Sequence, residues 1–280
     1  VAVNTPIIDF HFHVTTEGEY SEWLKGWLTE HGGEATLSHV RRVLSSPQAM
    51  LEYLDEQGVD YAVALAETNP LITGTISNER VAELCRSSDR LIPFANINPY
   101  ITADLAGELR HCVNDLGCRG LKLYPTYQHF YVNDARLYPL YDEAQRLDVP
   151  ILVHTGSSNF RGARLKYGDP IHIDDVAVDF PELTMIMAHS GRGLWYDTAF
   201  LLAQLHRSVY MEITGLPPLK LPAYFPNLER NADKIIFGSD WPALTDIRGS
   251  VAAVRSLELS EESKAKILGG NAARVLGLVN

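Results

Sequence analysis

At 280 residues, with 46% hydrophobic and 21% charged residues, the chain has the make-up of a globular protein that can bury a sizeable core, which excludes intrinsic disorder. A formal net charge of −11, a pI near 5.3 and no cluster of Lys and Arg argue against nucleic acid or an anionic membrane as partner and leave a small-molecule substrate. Cys85, Cys112 and Cys118 show no CxxC spacing, so no disulfide framework is expected, and a reducing cytoplasm is the expected setting.

The N-terminal residues carry no basic segment followed by an apolar one, and no run of about 18 apolar residues occurs. Neither export nor membrane insertion is expected. Ile7 and Ile8 lead into a first strand that runs through Asp9-Phe10-His11-Phe12-His13. Side chains two apart on a strand share a face, so His11 and His13 point the same way. From Val14 to Ser45 the chain reads as an insertion ahead of the first regular helix, with Trp23 and Trp27 as candidates for a lid. Ser46-Pro47 then gives an N-cap with Pro at the first helical position, Met50, Leu51 and Leu54 form an apolar stripe, and Gly58 ends the helix.

Tyr61 to Leu65 is the second strand. Further apolar runs begin near Leu91, Arg119, Pro150, Thr184, Val209 and Ile235, at intervals of 30, 28, 31, 34, 25 and 26 residues. Strand-helix-strand units need roughly 30 residues each. Between them lie amphipathic segments, such as Leu140, Tyr141, Ala144 and Leu147 ahead of the break at Asp148-Val149-Pro150. Eight strands alternating with helices predict an α/β fold, a closed (β/α)8 barrel over residues 1–280 as one domain, since such barrels take about 250 residues. The tail from Glu261 to Leu278 reads as two short helices broken at Gly269-Gly270.

In a barrel of this kind the C-terminal ends of the strands converge on one mouth. Strand one ends in His11 and His13, strand four carries Lys122 and strand five ends in His154. Strand six ends in His189 and strand eight in Asp240. Imidazoles and a carboxylate are good ligands for a divalent ion. The other six histidines, His31, His39, His111, His129, His172 and His206, have no such spacing and read as surface or packing residues.

These residues, with Leu121-Lys122-Leu123-Tyr124-Pro125, Val153-His154-Thr155-Gly156, Ala188-His189-Ser190-Gly191, Phe237-Gly238-Ser239-Asp240-Trp241-Pro242 and Gly270-Asn271-Ala272-Ala273-Arg274, make the chain resemble the amidohydrolase superfamily, in its branch of amidohydrolase-related TIM barrels. The resemblance runs over nearly the whole length. It implies that His11, His13, His154 and Asp240 bind one divalent metal ion, zinc being expected, with His189 beside the substrate. In such enzymes a metal-bound water is acidic enough to act near neutral pH. Asp240 would then move the proton and His189 donate to an oxyanion. Lys122 would bridge a second ion if carboxylated, as in two-metal relatives; the one-metal arrangement is the expectation here.

The expected activity is hydrolysis of a small lactone, ester or amide. The alternative is non-oxidative decarboxylation of a small unsaturated or aromatic carboxylic acid, because relatives similar to aminocarboxymuconate semialdehyde decarboxylase use the same ligands. Compact length favours hydrolysis, and a non-catalytic binding barrel ranks third. Lys122, Tyr124, Arg161 and Trp241 are the candidate substrate-binding residues. Arg164, in the same loop as Arg161, and Arg192 could also hold a carboxylate, though a loop Arg is more commonly just solvated. Many barrels of this type are homodimers, but no stretch identifies an interface.

Overall fold

The computed structural model describes residues 5–16, 18–31 and 33–278; residues 1–4, part of the stretch on which the lack of a leader was read, fall outside it. Eight parallel strands form the central sheet: Ile8–His13, Tyr61–Leu65, Leu91–Asn96, Leu121–Leu123, Ile151–His154, Met185–Ala188, Val209–Glu212 and Ile235–Ile236. They are hydrogen-bonded in sequence order. The eighth strand is regular over two residues only, yet the chain beyond it closes the ring. Phe10 N–H donates to Phe237 O, Asp240 N–H to His11 O and His13 N–H to Trp241 O, at 3.1, 3.0 and 3.0 Å. The expected (β/α)8 TIM barrel is the observed fold.

Alternation along the strands divides the core in two. Ile8, Phe10, Val63, Leu65, Ile92, Phe94, Leu152 and Ile186 fill the barrel interior, while Phe12, Ala64, Leu121, Leu123, Val153 and Met187 meet the surrounding helices. Burying each Phe of the inner layer stabilises the fold by about 1.5–3 kcal/mol. Phe94 fits only because residue 120 is glycine: a Cβ there would stand 2.3 Å from its ring.

The helix Pro47–Gln57 has the ends its sequence dictates, with Ser46 Oγ accepting from Ala49 N–H at 3.1 Å and Gly58 at φ 70°. The stretch ahead of it is helical rather than irregular, with helices Glu22–His31 and Gly33–Val43. Tyr20, Leu24, Leu28 and Leu37 give these helices an apolar cluster of their own, and Trp23, Trp27 and Phe160 pack against it. Gly269-Gly270 does not break the tail either. A π-helical turn, Lys266–Gly270, carries the chain into Asn271–Val275, and glycine stands at 269 because a side chain there would strike Pro6 O. Ala272, Ala273 and Leu276 then plug the end of the barrel opposite the mouth. Among the described residues no helix is long and apolar enough to cross a membrane.

Candidate metal centre at the barrel mouth

The first strand reaches the mouth through a β-bulge. Asp9 pairs with Ala62 and Phe12 with Ala64, so three steps on one strand face two on the other, and the extra residue resets the alternation. Ile8 and Phe10 fill the interior, and after the bulge His11 and His13 face inward as well. Asp9 holds the bulge: its carboxylate accepts from His11 N–H at 3.1 Å, Ser239 N–H at 2.8 Å and Ser239 Oγ–H at 2.6 Å. Burial pushes the Asp9 carboxyl up to about 6, against these hydrogen bonds.

His189 and Asp240 are swung into the mouth by left-handed backbone, each at φ 63°. For residues other than Gly this conformation costs about 1–3 kcal/mol and clusters at functional sites. The donor atoms of His11, His189 and Asp240 all lie within 4.8 Å of one another. Asp240 Oδ1 is 3.4 Å from His11 Nε2 and 3.3 Å from His13 Nε2. The His154 ring stands 4.7 Å from that of His189, and its buried Nε2 has no hydrogen-bond partner.

Hydrogen bonds on the far side of the rings set the tautomers. His189 Nδ1 lies 3.0 Å from Thr214 O, an acceptor only, which places the proton on Nδ1 and leaves Nε2 bare. His11 Nδ1 lies 3.4 Å from Glu212 Oε2, so its Nε2 is bare as well when the proton faces Glu212. His11 Nε2 and Asp240 Oδ1 are then two electron-pair donors facing each other. Burial, followed by the Lys122 charge, drives His11 well below the usual histidine range. Burial and then His189 do the same to His154. Burial and then Arg192 bring His189 to about 3. Neutral imidazoles with converging lone pairs, next to a carboxylate, are the donor chemistry that fits a divalent cation.

Burial alone would raise the Asp240 carboxyl, but His189, His13 and His11 overcome it and hold the group well below the usual carboxylate range. Lys122 is fully buried, with Nζ 3.5 Å from His11 Nε2. Burial lowers its ammonium to about 8, against the pull of Glu212, Asp240 and Glu67.

A family model described as Amidohydrolase matches residues 8–278. The chain belongs to the amidohydrolase family. Gamma-resorcylate decarboxylase of Rhodococcus jostii is a curated relative, 23% identical over an alignment of 298 positions that takes in 85% of this chain and 89% of the relative. Among solved structures, an uncharacterized TIM-barrel protein from Bordetella bronchiseptica superposes with a TM-score of 0.79 at 24% identity, covering 97% of this chain and 98% of that one. A dihydroxybenzoic acid decarboxylase from Polaromonas, with bound manganese and the inhibitor 2-nitroresorcinol, gives 0.68 at 20% identity, covering 98% and 97%.

The remaining candidate residues part company. Tyr124 is buried at the site, its ring 6.5 Å from that of His13 and 5.2 Å from Lys122 Nζ. Trp241 faces the helix layer instead: it stacks on Phe12 at 4.5 Å and its Nε1–H donates to His39 at 3.3 Å. Arg161 is exposed in the loop after strand five. The other histidines have local partners, such as Asp115 for His111 and Asp174 for His206, at 2.7 and 2.6 Å; the His31 side chain lies outside the described residues. The sequence reading passed over Glu212, fully buried at the end of strand seven, and Tyr127, whose ring is 5.0 Å from that of His154. Glu212 satisfies the strand-end rule that singled out the others. Tyr127 stands in the turn after strand four, where no spacing marks it.

Proposed function

We propose that the chain is a metal-dependent, non-oxidative decarboxylase of a small aromatic or unsaturated carboxylic acid. The observation that carries this reading is an aromatic wall rising from the donor cluster. Tyr127 stacks on Tyr124 at 5.8 Å and meets Phe160 at 6.0 Å, and Phe160 lies edge-on to Trp23 and Trp27 at 5.8 and 5.7 Å. A planar acid slides against such a surface with its carboxylate toward the cations. The curated relative gives independent support, a decarboxylase matched over 89% of its own length. This similarity favours the decarboxylase alternative over the hydrolysis of a lactone, ester or amide that compact length had favoured.

In this reading His11, His13, His154 and Asp240 hold one divalent ion. The imidazole-rich set suits zinc, while the similar Polaromonas enzyme carries manganese. When bound, the ion supplies a positive centre for the substrate's carboxylate and neighbouring oxygens. Lys122 adds a second positive charge below it.

Loss of carbon dioxide requires a proton on the carbon that carried the carboxyl group. Asp240, 18% exposed and facing the mouth, is the group we assign to deliver it. The group is ionised at rest, so it first takes a proton from solvent and then passes it to that carbon. His189 is neutral, with its one proton committed to Thr214, so we assign it an acceptor's role toward a substrate hydroxyl rather than the donor's role expected from the sequence. The Trp23, Trp27 and Phe160 cluster limits entry of water. A reducing cytoplasm remains part of this reading, in keeping with three free, buried cysteines.

The test is a substrate panel with metal-loaded protein. Release of carbon dioxide from a hydroxylated benzoate or a related unsaturated acid, without net addition of water, is the expected result. Turnover of lactones, esters or amides with no carbon dioxide released from any acid would overturn it. Elemental analysis of the purified protein decides between zinc and manganese and counts the ions.

A further inference from the structure

Arg192 follows the left-handed turn at His189 and Ser190, and its side chain crosses the rim of the mouth. Its Nη2–H donates to Ser157 O at 3.0 Å, in the loop after strand five. At its other side Nη1 lies 2.3 Å from where a Cβ on residue 215 would stand, a point 3.6 Å from His189 Nδ1. Gly215, at φ 68°, therefore keeps open the space that the guanidinium occupies beside His189. Gly156 admits the backbone of the same residue, since a Cβ there would be 2.3 Å from Arg192 N. Two glycines in two loops thus make room for one arginine.

Among the described residues, no carboxylate is paired with this guanidinium, although Arg90, Arg110, Arg136 and Arg146 each have one. Arg192 uses one of its five N–H donors on Ser157. Among the described residues it is held by neutral contacts, half-buried, at the edge of a site whose own carboxylates are taken up by histidines (Glu212 and Asp240) and by Thr15, Asn69 and Thr73 (Glu67). A planar, always-charged fork left without its anion is suited to one carried in by a ligand.

We propose that Arg192 recognises a second carboxylate of the substrate, so that the acid decarboxylated here is a dicarboxylate, with one carboxyl group at the donor cluster and the other on the guanidinium. This rests on the reading of the mouth as a carboxylate-binding metal site.

Calorimetric titration of metal-loaded protein with benzoate and with isophthalate tests it, using the wild type, Arg192→Gln and Arg192→Lys, with thermal melts to verify folding. The wild type is expected to bind isophthalate about tenfold or more tighter than benzoate, the value of a charge-assisted pair. Arg192→Gln should abolish that preference while leaving benzoate affinity within about twofold, and Arg192→Lys should keep part of it, because charge remains and the fork is lost. Equal wild-type affinity for the two acids, or an unchanged preference in Arg192→Gln, overturns the proposal alone. If neither acid binds the wild type, the carboxylate-site reading falls and the proposal with it.

Discussion

His11 Nδ1 and Glu212 Oε2 lie 3.4 Å apart across the barrel mouth, joining the first strand to the seventh. The contact fixes which nitrogen of His11 faces the site. Burial pushes the Glu212 carboxyl well above its usual range, against the opposing Lys122 charge, yet Oε2 accepts a hydrogen bond in either protonation state.

Replacing Glu212 by Leu keeps a buried side chain of similar size and removes the acceptor behind His11. Loss of an outer partner of a metal-ligating His typically lowers metal affinity about 10–100-fold. Competition with a chromophoric chelator measures this; affinity equal to wild type would mean that Glu212 does not orient His11 toward a metal.

Asp240→Asn keeps an oxygen in place and takes away the acid. Decarboxylation should fall by about 10²–10⁴-fold, the contribution typical of a positioned proton donor. Metal content by elemental analysis should fall less steeply. Turnover near the wild-type rate would remove Asp240 from the proton-transfer step.

Lys122 links stability to pH. Its folded value of about 8 lies below the ordinary 10.5, so between these two pH values the unfolded chain holds more protons on this group than the folded one. The burial penalty is therefore fully present below about pH 8 and is relieved as pH rises toward 10.5. A shift of this size corresponds to about 3 kcal/mol. In urea titrations of metal-stripped protein, Lys122→Met should exceed wild type in stability at pH 7 by an amount of that order. The gap should close between pH 8 and 10.5. A gap independent of pH would show that Lys122 is not buried as a cation.

Asp9→Ala removes the acceptor of three hydrogen bonds and leaves Ser239 N–H and His11 N–H buried without it. Each hydrogen bond to a charged group is worth about 1.5–3 kcal/mol, and partial rehydration of the cavity brings the expected loss to about 2–4 kcal/mol. Metal affinity should drop as well, because the bulge that aims His11 and His13 inward relaxes. Chemical denaturation and chelator competition on the same variant separate the two effects.

The barrel was legible because its signals are periodic: eight apolar runs at near-regular intervals, with titratable groups where they end. The same rule picked out His11, His154, His189 and Asp240, which do converge. It could not reveal the bulge. Read by simple alternation, Ile8 and Phe10 claim the inward face and turn His11 and His13 outward, and only the pairing with Ala62 and Ala64 discloses the extra residue. Trp241 was misplaced for a related reason, since a position next to Asp240 says nothing of which side of the wall the ring takes. The helices at Glu22–His31 and Gly33–Val43 escaped because Gly26 lies inside the first and Gly33 opens the second, and packing of Trp23 and Trp27 on Phe160, distant in sequence, holds the first.

The ring closes through Asp9 and Ser239, 230 residues apart in sequence. His11 and His13 lie on one side of that seam and Asp240 on the other. Until the two margins are stitched together, the growing chain possesses imidazoles without their carboxylate partner and can offer an ion only a loose grip. On the proposed ligand set, tight uptake of an ion would mark the moment when the last strand has met the first, and a chain stalled before that point would remain empty-handed.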